Sequence, residues 1–348
     1  MPARQPGYLR RVKVGVFGAG SIGCYVGGRL LAANASEVVF VGRPKLRDQL
    51  MATGLAVQDF DGPRAVVPAG RFTFATEARA LAGCEVVLCC VKSQGSAEAG
   101  RELAAVLPPG TTVVSLQNGV RNPATLRESL SQQKVLASIV TWNVIAVEGT
   151  YRRATSGPLM IEPAPAQLRT AFEAAGIPVQ EHADIAPEQW TKLIVNLNNA
   201  ISALSDASTA TLLLDAGYRK AIAAVVGEGI RVVRGAGVKL ARWNGLPLGL
   251  MPKILGLPTW VVKRVTGAQL KVDPAARSSM WQDLDARRST EVDFLNGEIV
   301  ALAQRSGAKA PLNARIVDLI REAEEMGAGS PRLSPDVLWR QLTADSRK

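Results

Sequence analysis

Residues Val12 to Phe17 form an apolar run that passes directly into Gly18-Ala19-Gly20-Ser21-Ile22-Gly23 and then into a small-residue stretch, Cys24 to Leu30. Three glycines at this spacing, with a strand before them and a helix after, predict a dinucleotide cradle. Gly18 permits the tight turn out of the strand, Gly20 lets backbone approach a pyrophosphate, and Gly23 lets the helix pack close to the sheet. The helix N-terminus then faces the phosphates with unpaired N–H groups and a partial positive charge, so Ala19, Ser21 and Ile22 belong to the same binding turn. The chain holds 32 glycines. The flanking strand and helix therefore carry this reading, and an ordinary turn is its alternative.

A second apolar run, Glu37 to Val41, reads as the next parallel strand, and Gly42-Arg43-Pro44-Lys45 follows it. An NAD site normally places an acidic residue here for the ribose 2'-hydroxyl. A guanidinium suits a 2'-phosphate, so Arg43 favours NADP over NAD; the alternative is a solvated loop cation. Farther on come a hairpin-like stretch from Gly54 to Phe74, a buried strand Val86 to Val91 leading into Lys92, and a helix from Ala97 to Leu107. A strand Thr112 to Leu116 ends in Gln117-Asn118-Gly119, and Lys134 to Val147 reads as one further strand. This alternation predicts an α/β fold with a doubly wound sheet, whose ligands bind beyond the carboxyl ends of the strands. Gly18, Arg43, Lys92 and Asn118 all fall at such ends.

From Pro187 the pattern changes to long helices, 187–204, 218–236, 275–306 and 313–325, and strand signals nearly vanish. The expected organisation is a nucleotide-binding domain over 1–183 and an all-α domain over 184–348.

At 348 residues two domains are the default. The net charge of +11 attracts anionic partners, yet the cations are interspersed with acids and aromatics are scarce, which excludes a nucleic-acid stripe. A phosphorylated cofactor and a carboxylate substrate suffice to explain it. A single histidine, His182, and four cysteines without CxxC spacing leave no metal site and indicate reduced core thiols in a cytoplasmic protein. Met1 to Arg11 carry no signal-type apolar core, so export is not expected. Trp243 to Val262 is as long as a spanning helix but is interrupted by Pro247, Pro252, Pro258, Gly245, Gly249 and Gly256. It reads as a folded insertion, a lid or an oligomer contact, and no membrane partner is expected. A basic amphipathic segment lying on anionic lipid is the lesser alternative. A homodimer is compatible with the sequence.

The stretch Glu188 to Leu204 is apolar nearly all round, hence a buried helix, and Lys192, Asn196 and Asn199 share one stripe at i, i+4 and i+7. A lysine there needs a partner or a lowered pKa. In a nucleotide enzyme without a useful histidine it is the natural proton donor; the alternative is that Lys192 snorkels outward and the asparagines satisfy nearby backbone. Glu291 and Asp293 are candidate counter-charges on the expected helix.

Taken together, Gly18 to Gly23, Val91-Lys92, Gln117-Asn118-Gly119, Trp190-Thr191-Lys192-Leu193 with Asn196, Ser278-Ser279-Met280 and Thr290-Glu291-Val292-Asp293 with Asn296-Gly297 resemble the ketopantoate reductase (2-dehydropantoate 2-reductase) family. The resemblance implies a Rossmann-type N-terminal domain holding NADPH/NADP+ and a helical C-terminal domain. It also implies reduction of a small-molecule 2-oxo acid, 2-dehydropantoate, to (R)-pantoate. Lys192 matches the catalytic lysine and Glu291 a glutamate at the cofactor and lysine end. Asn118 and Asn196 match asparagines that hold substrate or cofactor, and Ser279 a serine that binds the substrate carboxylate. Arg43 and Lys92 match cations near the cofactor phosphate, and Asn143 a backbone position contacting the cofactor.

The chain departs from the family at Ala200, where a second helix asparagine is usual and where Asn198 or Asn199 stands just before, and at Ala276, where some members carry an asparagine. With the long insertion, these keep open a paralogous reductase of another branched or bulkier 2-oxo acid and, more remotely, a non-catalytic NADP-binding sensor. A continuous helix rising ~1.5 Å per residue would set Ser279 and Glu291 roughly 18 Å apart. Either it breaks or the two serve different ligands.

Overall fold

The computed structural model describes residues 11–266 and 277–344; Ala276 and the beginning of the expected 275–306 helix lie outside them. The chain divides after Ile185 into two compact units.

The first unit begins with β1 (Val12–Phe17), α1 (Ser21–Ala32), β2 (Ser36–Val41) and α2 (Pro44–Thr53). Short strands β3 (Leu55–Gln58), β4 (Arg64–Val67) and β5 (Thr73–Ala75) come next. Then follow β6 (Val86–Cys89), α3 (Ser96–Val106), β7 (Thr112–Ser115), α4 (Asn122–Ser129) and β8 (Lys134–Val140). The unit closes with β9 (Val144–Val147), β10 (Thr150–Arg153), β11 (Leu159–Ile161), α5 (Ala166–Ala174) and β12 (Val179–Glu181).

Eight strands make one sheet in the order β12-β11-β8-β7-β6-β1-β2-β5. From β8 to β5 every pairing is parallel, because each crossover is long enough to return the chain to the same edge. The central strands are buried on both faces, which is why they read as unbroken apolar runs. The order reverses at β1, between β2 and β6.

A second sheet, β4-β3-β10-β9, covers the other side of α1. A Cβ on Gly27 would stand 2.5 Å from the Phe40 ring of the large sheet, and one on Gly28 would stand 2.4 Å from Val57 of the small one. The helix is thus wedged between two sheets.

Two of the expected boundaries change. The single strand over 134–147 is two strands: the chain turns at Thr141-Trp142-Asn143, Trp142 is buried with the Arg153 guanidinium 4.8 Å from its ring, and β9 leaves the large sheet to pair antiparallel with β10. The hairpin over 54–74 is confined to β3 and β4, and β5 instead extends the large sheet beside β2. Burial pushes the Cys24 thiol up to about 12 and Cys84 to about 11, as expected of core thiols.

The second unit is helical. Its first half comprises α6 (Ala186–Asn196), α7 (Asn198–Ser205), α8 (Thr209–Leu214) and α9 (Ala216–Gly235), a two-residue-strand hairpin of β13 (Arg242–Trp243) and β14 (Leu246–Pro247), then α10 (Met251–Leu255) and α11 (Thr259–Thr266). Its second half comprises α12 (Ser279–Asp285), α13 (Asn296–Arg305), α14 (Pro311–Met326) and α15 (Pro335–Thr343). The helix α9 is central: Asp215 caps it through the amides of Gly217 and Tyr218, and Gly229 admits Ile194 and Leu197, each 2.8 Å from where its Cβ would be.

The expected helix over 187–204 is interrupted at Leu197, and the one over 275–306 is broken between Asp285 and Asn296, where Arg287 takes a left-handed φ of 53°. The Trp243 to Val262 insertion folds into the hairpin, α10 and the start of α11. Among the described residues no helix is long and apolar enough to cross a membrane. The buried Arg219 fixes the joint between α10 and α11: its guanidinium donates to the carbonyls of Leu213, Leu214, Leu255 and Leu257 and to the Thr259 hydroxyl. Carbonyls at the ends of α8 and α10 thus meet a positive charge, the favourable polarity for a helix C-terminus.

Candidate active site

At the switch point of the large sheet, Gly18 has φ +96°, and a Cβ there would lie 2.6 Å from the backbone nitrogen of Val91. The turn is tied to both neighbouring strands: Gly18 and Ala19 amides donate to Val41 O at 3.0 and 3.1 Å, and Cys90 N donates to Phe17 O at 2.7 Å. Gly20 caps α1 in an extended conformation, and nothing lies within 4 Å of where its Cβ would stand. A Cβ on Gly23 would be 2.7 Å from Gly18 O and 2.8 Å from Val16. Cys24 is the first amide to reach back along the helix, to Gly20 O at 2.8 Å, so the amides of Ser21, Ile22 and Gly23 form the open first turn. A backbone with an open face at Gly20 and donors at a helix N-terminus fits a dinucleotide pyrophosphate.

Arg43, with Gly42 between it and the end of β2, is the exposed N-cap residue of α2, with Pro44 in the first helical turn. Lys92 is exposed just past β6 and precedes the 3-10 turn Ser93–Gly95. Asn118 lies past β7, half-buried, and its carbonyl accepts from Ser93 Oγ at 3.2 Å and from Asn122 Nδ2. Asn143, exposed at the corner beyond β8, uses its backbone inside its own loop, donating to Thr155 Oγ1 at 2.9 Å and accepting from Ala154 N at 2.8 Å.

Sequence reasoning missed the polar network beneath these strand ends. Gln117 Oε1 accepts from Ser115 Oγ at 2.9 Å, while its Nε2 donates to Val91 O at 3.0 Å and to Ser96 Oγ at 2.7 Å. Ser96 in turn donates to Asn122 Oδ1 at 2.8 Å. All four side chains are buried. The available signal was Asn122-Pro123 opening a helix four residues past the Asn118 turn. Behind α1, Tyr25 donates to Asp59 at 3.0 Å, and Arg153 and Arg29 flank the same carboxylate at 3.4 and 3.7 Å.

In the helical unit Lys192 sits midway along α6, half-buried, with Nζ 5.5 Å from the Trp243 ring centroid. Burial alone lowers its pKa from 10.5 to about 8. Trp243 was not foreseen as a neighbour. The hairpin that carries it is fastened to α6 by Ala241 N donating to Thr191 Oγ1 at 2.9 Å.

Asn196 is buried one turn beyond Lys192, but Asn199 lies past the Leu197 interruption on α7, so the expected single-helix stripe is broken before it. The Asn199 carbonyl accepts from Ser278 Oγ at 2.9 Å, and that same Oγ caps α12 by accepting from Trp281 N at 3.1 Å. Ser279, exposed at the first position of α12, is thereby held beside α7.

Glu291 is half-buried at the head of the 3-10 turn Val292–Phe294, in the gap between α12 and α13. Asp293, the other candidate counter-charge, pairs with Arg321 at 2.7 Å on the surface. A separate cavity of about 520 Å³ is lined by residues of α9 and of the α10–α11 joint, including Arg219, Lys220 and Leu257, and by none of the candidate site residues.

A doubly wound sheet with a glycine turn at its switch point, followed by a helical unit that carries a desolvated lysine, is the architecture of a nucleotide-dependent oxidoreductase. The chain belongs to the ketopantoate reductase family: residues 14–166 match ketopantoate reductase PanE/ApbA, and residues 184–324 match the C-terminal part of the same family. It is 29% identical to the 2-dehydropantoate 2-reductase of Halobacterium salinarum over 326 residues, covering 91% of this chain and all of the relative. A crystal structure of a PanE/ApbA family ketopantoate reductase from Ralstonia eutropha JMP134 superposes with a TM-score of 0.76 at 32% identity, over 91% of this chain and 99% of the other. A ternary structure of D-mandelate dehydrogenase with NADH and anilino(oxo)acetate shares the fold, with a TM-score of 0.74 at 18% identity over 91% of this chain and 99% of that one.

Proposed function

We propose that this chain reduces 2-dehydropantoate to (R)-pantoate with NADPH, the first unit holding the cofactor and the second the substrate and the proton donor. The observation that carries this is the placement of Lys192, half-buried midway along α6 with Nζ 5.5 Å from the Trp243 ring centroid; burial there lowers its pKa to about 8, which leaves the amine protonated at neutral pH yet a ready proton donor. Family membership and the name of the Halobacterium relative support the substrate.

The cofactor, when bound, supplies a hydride to the carbonyl carbon of the 2-oxo acid. Gly18 to Gly23 and the first amides of α1 bind its pyrophosphate, Arg43 its 2'-phosphate, and Lys92 a neighbouring phosphate oxygen. Asn143 supplies a backbone contact at the corner beyond β8, through a carbonyl that already accepts from Ala154 N, and Glu291 contributes from the cofactor end. Lys192 donates a hydrogen bond to the substrate carbonyl oxygen, stabilises the developing alkoxide and delivers the proton, a role commonly worth about 10²- to 10⁴-fold in rate. Asn118, Asn196, Asn199 and Ser279 orient the substrate, replacing its hydration with fixed partners.

NADPH oxidation measured across a panel of 2-oxo acids tests the substrate, and Lys192→Ala tests the donor. A kcat within about tenfold of wild type for that variant would remove Lys192 from the mechanism. Cofactor binding without turnover on any 2-oxo acid would mark a sensor instead. One observation favours a second reading: Trp243 puts an aromatic face beside the Lys192 ammonium, which suits a 2-oxo acid with a bulkier apolar group.

A further inference from the structure

We propose that the α10–α11 segment of the helical unit is a docking face for an anionic lipid surface. From Gly229 to Thr266 the sequence contains no Asp or Glu and seven Lys or Arg, in a chain that elsewhere mixes the two signs. On α11, Trp260, Lys263 and Arg264 share one face at i, i+3 and i+4, while Val262 is 0% exposed and turned into the fold.

Trp260 is 71% exposed, an unusual position for the largest apolar side chain in a water-soluble fold. Leu246 and Leu250, in the same segment, are 45% and 41% exposed. Lys253 lies between them and α11 and is also exposed. An acid-free stretch that exposes tryptophan and leucine together with lysine and arginine matches the boundary between anionic headgroups and acyl chains, where indole rings reside.

The charge pattern separates this occupant from others. A two-fold contact through this face would set the basic patch against the same patch of a second copy, with no carboxylate in the segment to relieve the repulsion. A nucleic acid would satisfy the cations but leave the leucines in water. No described helix is long and apolar enough to cross a membrane, so the segment lies on the surface of the bilayer. Its shape is set in advance by Arg219, which binds α8 and the α10–α11 joint through five hydrogen bonds. None of the residues named for this face takes part in the proposed reduction.

The test uses the full-length protein and sedimentation with phosphatidylcholine vesicles, plain or containing roughly one-third phosphatidylglycerol. The protein should sediment with the anionic vesicles alone and be released as salt is raised. Lys263→Gln and Arg264→Gln should each weaken binding roughly fivefold. Trp260→Ser, at an exposed site, should weaken it further while NADPH-dependent turnover in solution stays unchanged. The proposal is overturned if the anionic vesicles are not bound or if Trp260→Ser binds them like wild type. It is equally overturned if the face instead binds duplex DNA, or if it drives self-association that Trp260→Ser abolishes.

Discussion

Asn122 Nδ2 donates to Ser93 Oγ at 2.9 Å, a bond that ties the loop leaving β6 to the first residue of α4, beyond β7. Two of the strand ends proposed to face the cofactor, those bearing Lys92 and Asn118, are thereby fixed to each other. Removing the amide with Asn122→Ala leaves the buried Ser96 hydroxyl without its acceptor and takes one donor each from Ser93 Oγ and the Asn118 carbonyl, at a cost of about 1–3 kcal/mol. Urea unfolding should show that loss. Steady-state kinetics should show KM rising more than kcat falls, because Asn118 loses its anchor while the proton donor is untouched.

The three glycines of the turn differ in a way two variants can separate. At Gly20 the space for a methyl group is open, so Gly20→Ala should leave Tm close to wild type and weaken nucleotide binding, read by titration calorimetry. At Gly23 a methyl group would collide with Gly18 O and Val16, so Gly23→Ala should destabilise the fold by roughly 1–3 kcal/mol whether or not nucleotide is present. Equal effects at the two positions would contradict the assignment of an open ligand face.

The pH dependence follows from Lys192, whose folded pKa of about 8 lies below its ordinary 10.5. Reduction needs the ammonium, so kcat/KM should be flat below about 8 and decline above it, and oxidation of the hydroxy acid should show the opposite limb. The sign for stability is also determined. Between about 8 and 10.5 the unfolded chain holds a proton that the folded chain has released, so stability rises with pH through that window, and the cost of desolvating the charge is complete below it. Lys192→Met should abolish that slope in denaturation curves recorded across the window.

Arg43 supplies the test of cofactor choice. It is exposed at the end of β2 and anchored only through its backbone position ahead of α2, so Arg43→Ala should fold normally. Loss of a charge-assisted pair to a 2'-phosphate should raise the Kd for NADPH by about tenfold or more and leave that for NADH nearly unchanged.

How far the residues announced these results depends on whether the cause was local. The parallel strands and the glycine turn were legible because a strand buried on both faces is apolar throughout and because Gly18 needs a positive φ. The corner at Trp142 was not, since Lys134 to Val147 contains no glycine or proline and the break comes from burying Trp142 against Arg153, a contact that exists only once β9 and β10 have paired. The end of α12 is marked by Arg287 in a left-handed conformation, one that an arginine does not advertise. Lys192 stood out as a cation among apolar neighbours. Its aromatic neighbour Trp243 did not, because the contact joins residues 51 positions apart. The Ser93, Ser96, Ser115, Gln117 and Asn122 network escaped notice since each member is an ordinary polar residue, and only their convergence is informative.

The wedging of α1 between Phe40 on one side and Val57 on the other has a thermodynamic consequence. A helix gripped from both faces cannot slide or tilt when a phosphate arrives, so the entropy of immobilising its first-turn amides is lost during folding and not during binding. In hydrogen exchange the amides in the body of α1 should open only with the global unfolding of the first unit. Nucleotide at the turn would then raise the stability of that whole unit without slowing any local motion of the helix.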